Sequence, residues 1–174
     1  MKELKWYAVY TRPKWEKKVT ELLTKKKITA YYPLNKVYRH WSEGRRIFYE
    51  PLFASYVFVR LNETDYANVL QTSGVVSFVY WLDRPAIIQD EEIDTIKHFL
   101  NEYSNVTLEK SPVSLNEEVK IISGPLILRK GNLLEVLNNT LKVTLSSLGY
   151  ILVAEVRKEN SESRTYVEES RLKV

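Results

Sequence analysis

The sequence predicts an α+β protein: an N-terminal domain of helices packed on a β-sheet, followed by a small all-β domain. Three observations lead there. In residues 4–103, runs rich in aromatic and β-branched residues alternate with segments whose apolar residues recur every three to four positions. That helical spacing then stops, and "SNVTLEKSPVSL" has neither period. Beyond it come only short apolar runs broken by Gly, Asn, Ser and Pro, the pattern of a small barrel. A chain of 174 residues accommodates two such domains. The expected boundaries are 1–105, a linker over 106–115, and 116–174.

Each element has its own signal. "LKWYAVYT" (4–11) reads as a strand. Pro13 suits the first turn of a following helix, in which Trp15, Val19, Leu22 and Leu23 make one apolar stripe. "AYYPLNKVYRHW" and "RRIFYEPLFASYVFVRL" are strand-like and joined through Gly44 as a hairpin. Asn62 is placed to start a short helix bearing Tyr66, Val69 and Leu70 and ending near Gly74. "VVSFVYW" (75–81) is a further strand. Asp90 is placed to cap a helix whose apolar face holds Ile93, Ile96, Leu100 and Tyr103. These helices are expected to cover one face of the sheet.

"PLFASYVFVRL" (51–61) departs from the rule that a half-buried strand alternates apolar and polar residues. One parity holds Leu52, Ala54, Tyr56, Phe58 and Arg60; the other holds Phe53, Ser55, Val57, Val59 and Leu61. Either the chain itself covers both faces, or one face is reserved for a partner.

Composition excludes several classes. There is no cysteine, hence no disulfide or thiolate chemistry, which suits a reducing cytoplasm. No apolar run approaches the ~20 residues of a membrane span, and "MKELKWYAVYTRPK" has no secretory h-region. The two histidines, His40 and His98, have no i, i+4 partner for a metal pair. The "DEEID" carboxylates (90–94) complement a helix start rather than forming a catalytic pair, and the five glycines make no phosphate-cradling loop. Neither an enzyme nor a cofactor or metal site is expected.

Charge points instead to an anionic partner. The net charge is only +4, but residues 1–60 carry 14 Lys and Arg against 5 Asp and Glu. Arg12, Lys14, Lys17 and Lys18 gather at the first helix start, and Arg39, Arg45 and Arg46 lie in the hairpin with Tyr38 and Trp41 among them. Such cations contact phosphates, and such rings stack on bases or pack within a sheet.

The stretches "WYAVYTRPKWEKKVTELL", "PLFASYVFVRL", "GVVSFV" and "RPAIIQDEEI", in this order, resemble the N-terminal domain of the NusG family of transcription elongation factors. "SGPLILRKGNLLEV" followed by "LKVTLSSLG" resembles that family's KOW domain, an SH3-like barrel, with Gly124, Pro125 and Gly131 at the motif positions. "WSEGRR" ahead of "PLFASYVFVRL" is similar to the specialised RfaH-like and UpxY-like antitermination paralogues, the latter serving surface polysaccharide operons.

The resemblance implies a monomeric, cytoplasmic, non-enzymatic antitermination factor. It implies docking of an apolar patch, matched by Tyr10, Phe53, Tyr56 and Phe58, on the clamp helices of the largest RNA polymerase subunit. It implies contact with non-template DNA through Arg12, Lys14, Lys17, Lys18, Thr72 and Ser73, and leaves nascent RNA open as a further ligand. The loop toward the opposite pincer of polymerase aligns near Asp65–Ala67, without the hydroxyl-rich composition of some relatives. The KOW domain would recruit either the termination factor Rho or a small-subunit ribosomal protein. The competing reading is a ribosome-associated or RNA-binding KOW module, which leaves Tyr10, Phe53 and Tyr56 without a shared purpose.

Overall fold

A computed structural model describes residues 3–111, 127–129, 132–137 and 140–155. The chain divides into two units, Met1–Ser104 and Asn105–Val174.

The first unit is built on a sheet of order β2-β5-β1-β6, with β9 also pairing β1. In chain order its elements are β1 (Lys5–Thr11), α1 (Glu16–Lys25), β2 (Thr29–Tyr31), β3 (Leu34–Trp41), β4 (Gly44–Pro51), β5 (Tyr56–Leu61), α2 (Tyr66–Leu70), β6 (Val75–Phe78), β7 (Tyr80–Trp81), β8 (Arg84–Pro85), β9 (Ile87–Ile88) and α3 (Asp90–Glu102). β1 and β5 are antiparallel, with Trp6 opposite Arg60, Ala8 opposite Phe58 and Tyr10 opposite Tyr56. The other parity, Tyr7, Val9, Val57, Val59 and Leu61, packs with Val19 and Leu23 of α1, Val69 of α2, and Phe78.

α3 covers the opposite face. Its Lys97 Nζ stands 5.7 Å from the Trp6 ring centroid and 5.1 Å from that of Tyr31, and Asp90 pairs with Arg60 at 3.3 Å. Helices therefore lie on both faces, not on one as expected, and this is why both parities of β5 are apolar. Ile93, Ile96 and Phe99 form the buried face of α3.

Several boundaries differ from expectation for local reasons. α1 begins at Glu16, because Lys14 is left-handed at φ 63° and the Arg12 N–H is bonded to the Gly74 carbonyl at 2.8 Å. The run 30–41 divides at Tyr32 and Pro33, where a proline cannot donate to a ladder. Asn62 does cap, but it caps a single 3₁₀ turn (Glu63–Asp65), accepting the Thr64 N–H at 2.9 Å. The N-cap of α3 is Gln89 rather than Asp90, and Gln89 and Glu92 form a capping box.

The second unit contains β10 (Thr107–Lys110), β11 (Ile127–Arg129), β12 (Asn132–Leu137), β13 (Thr140–Leu145) and β14 (Tyr150–Glu155), in the order β10-β14-β13-β12-β11. All neighbours are antiparallel, and Leu141, Val143, Leu145, Leu152 and Ala154 are buried in alternation. The small β domain expected here is thus present. The expected linker over 106–115 holds a strand in its first half: among the described strands β10 lies at the edge of the sheet, and its polar composition hid it. Gly124, Pro125 and Gly131 lie outside the described residues.

Candidate functional site

Four aromatic rings meet at the end of the sheet face beyond α3. Tyr10 on β1 and Tyr56 on β5 are cross-strand partners, their ring centroids 4.7 Å apart, and the Tyr56 hydroxyl donates to that of Tyr10 at 3.0 Å. Phe53 lies 6.0 Å from Tyr56 and 5.4 Å, edge to face, from Phe58. The structure brings all four rings together, but not to the same depth. Tyr10 is 38% exposed and Tyr56 half-buried, whereas Phe53 and Phe58 are 3% and 0% exposed. Two tyrosines face outward on a footing of two phenylalanines.

Phe53 and Tyr56 have opposite parity, and a continuous strand would aim them apart. The chain avoids this by not being a strand there. β5 starts only at Tyr56, Ser55 is left-handed at φ 61°, and the Tyr56 N–H turns back to the Phe53 carbonyl at 3.3 Å. Serine gains nothing from that conformation by itself, so neighbours must hold it. Glu16, buried in the first turn of α1, accepts the Ser55 N–H through Oε1 at 2.7 Å, and the Thr11 N–H bonds the Ser55 carbonyl at 2.8 Å. One acid among lysines thus fixes the turn that presents Phe53 and Tyr56 together. An acid within "KWEKK" was the signal available in the sequence, and only its burial reveals its role.

The same contacts set the aromatic patch beside a basic cluster. Arg12, Lys14, Lys17 and Lys18 are all exposed. Arg12 and Lys18 both stand over the half-buried Trp15 ring, at 5.6 and 4.4 Å from its centroid. Trp15 in turn lies against Gly74: a Cβ there would sit 2.4 Å from Trp15 Cε3, and Gly74 has φ +91°, so only glycine fits. This contact brings the exposed Ser73 to the cluster. Thr72 does not join it as an open group. It is buried, and its hydroxyl bonds the Asn68 carbonyl and the Lys26 ammonium, both at 3.0 Å. Trp15 and Gly74 are the organising residues that sequence reasoning had assigned only to packing and to a helix end.

Tyr66 packs on Tyr7 and Phe78, with ring centroids 5.3 and 4.9 Å away, and burial raises its pKa above the ordinary tyrosine value. Among the described residues, no group of three or more His, Asp or Glu is placed to hold a metal, and no helix is long and apolar enough to cross a membrane.

Residues 4–97, more than half of the chain, match the NusG family, described as transcription termination factor nusG. Among solved structures, one reporting domain interaction in Thermotoga maritima NusG is similar at 22% identity. It covers 89% of this chain and 94% of its own, with a TM-score of 0.49. No curated protein matches.

Proposed function

The chain belongs to the NusG family of transcription factors, and from that premise we propose that Tyr10 and Tyr56 form its dock on the RNA polymerase clamp helices. The observation that carries this reading is the pair of outward tyrosines at the one end of the sheet face that α3 leaves bare, supported beneath by Phe53 and Phe58. Aromatic rings held rigid on a buried footing lose little entropy on contact and are the usual anchors of an interface. An amphipathic helix of the clamp inserts its apolar side chains against them. The adjoining cluster of Arg12, Lys14, Lys17 and Lys18 then faces the exposed non-template strand and contacts its phosphates. The result is an elongation factor that suppresses pausing, of the specialised antitermination kind that "WSEGRR" resembles.

Binding of core RNA polymerase to the wild type and to a Tyr10→Ala/Tyr56→Ala variant tests the dock. The variant is expected to bind roughly tenfold more weakly or worse, as aromatic anchors do, with its thermal transition near that of the wild type. Equal binding by a folded variant would remove these rings as the dock.

A further inference from the structure

The β3–β4 hairpin forms a sheet of its own and pairs with no other described strand. Every residue from Arg39 to Ile47 is exposed, including Trp41 at 54%. Register places Arg39, Trp41, Arg46 and Phe48 on one face and Lys36, Tyr38, His40 and Arg45 on the other. Each face repeats the same motif, a cation over a ring. Arg39 stands 5.5 Å from Phe48 and Arg46 5.7 Å from Trp41; on the reverse face Arg45 stands 3.8 Å and Lys36 5.3 Å from Tyr38. A ribbon built only to finish the fold would have one face toward a core. This one is cationic on both sides.

We propose that this ribbon inserts tip-first into the major groove of double-stranded DNA, as a nucleic-acid site separate from the helix-start cluster. The major groove is about 12 Å wide and 8.5 Å deep and admits a two-stranded ribbon. Strands lie about 4.8 Å apart and rise about 3.3 Å per residue, so the tip from Arg39 to Arg46 spans about the depth of the groove. Phosphates then flank the ribbon on both sides, which is what cations on both faces require. A single strand would engage one face only, and would need open rings to stack on, whereas Tyr38 already lies under Arg45. The major groove of duplex RNA is too deep and narrow to receive the ribbon. Arg46 is paired with Glu43 at 3.2 Å, and Arg39 with Glu50, but all four side chains are exposed, and such pairs are weak enough to exchange for phosphate.

The test uses the full chain and fluorescence anisotropy on three probes: a DNA duplex of about 20 bp, or roughly two helical turns, one of its strands, and an RNA duplex of the same sequence. Arg39→Ala/Arg45→Ala/Arg46→Ala is compared with Arg12→Ala/Lys18→Ala and with wild type, and each thermal transition is measured. The hairpin variant is expected to lose about tenfold or more in duplex DNA affinity at low salt, and to flatten the slope of log affinity against log salt by about two to three. Its single-strand affinity stays unchanged, while Arg12→Ala/Lys18→Ala shows the converse. An Arg39→Lys/Arg45→Lys/Arg46→Lys variant retains the charge and recovers most of the salt slope. The proposal fails if wild type does not bind duplex DNA at low salt, or if the hairpin variant binds it normally. It also fails if that variant loses single-strand or duplex RNA affinity to the same degree. None of these readouts involves polymerase or Tyr10 and Tyr56, so the clamp dock stands or falls apart from it.

Discussion

The two ends of one sheet face are built from the same kind of residue and end up with opposite roles. At one end Trp6, Ala8 and Phe58 are buried, and Lys97 of α3 stands over Trp6. At the other, one cross-strand pair further along, Tyr10 is exposed and Tyr56 half-buried. Nothing in the composition of "SYVFVRL" distinguishes the halves. The difference comes from where α3 lies: Asp90 is tied to Arg60 and Lys97 stands over Trp6 and Tyr31, so the helix covers the far end and leaves the near one bare. A continuous apolar face is thus divided into core and surface by the reach of one helix.

Truncating a ring at each end tests that division most strongly. Phe58→Ala empties a site with no exposure and removes the edge-to-face partner of Phe53, so a loss of about 3–5 kcal/mol in urea unfolding is expected. Tyr10→Ala, at the bare end, is expected to cost about 1 kcal/mol or less while weakening polymerase binding. Comparable destabilisation by the two substitutions would mean that the bare end is core after all.

Much of this arrangement was legible beforehand. The apolar period of α1 and α3, the aromatic run of β1 and the two-sided apolar pattern of β5 follow from spacing alone, and each is present. The concentration of Lys and Arg in residues 1–60 led to the helix-start cluster and the hairpin. What stayed hidden depends on contacts between distant segments. Ser55 is left-handed because Glu16 and Thr11, both remote in sequence, hold its amide and carbonyl. Gly74 looked like a helix stop, but it is fixed by the Trp15 ring lying against it. Phe53 could be assigned to the face of Tyr56 only once that turn was known. β10 stayed hidden because its sequence, TLEK, has little apolar character, as suits a strand at the edge of the described sheet.

Glu16 offers a smaller perturbation that reaches the bare end without touching it. Its carboxylate accepts the Ser55 N–H from the α1 side of the sheet. Glu16→Ala leaves that amide without its acceptor and frees the turn, at an expected cost of about 1–3 kcal/mol. Polymerase affinity should fall as well, because Phe53 and Tyr56 are no longer presented together, whereas Glu16→Gln, whose amide oxygen can still accept the bond, should restore most of both. If Glu16→Ala lowers stability but leaves polymerase affinity intact, the turn serves the fold and has no part in presenting the patch.

The effect confined to the narrowest range of conditions belongs to the covered end and shows only in alkali. The Tyr31 ring stacks on Phe58 at 6.3 Å, and burial pushes its pKa up to about 12 from an ordinary value of 10.0. Here the folded state favours the protonated phenol. The unfolded chain therefore gives up its proton first, and stability declines as pH rises from about 10 to about 12. Below that window the group titrates in neither state and contributes no pH dependence. Tyr66, also raised by burial, adds to the decline in wild type and variant alike, so the difference between them isolates Tyr31. Urea midpoints should converge for wild type and Tyr31→Phe near pH 9 and separate above pH 10, the phenylalanine variant falling less steeply. Parallel curves through pH 12 would mean that the Tyr31 hydroxyl reaches water, and that α3 covers this end of the face less completely than its contacts with Trp6 and Tyr31 indicate.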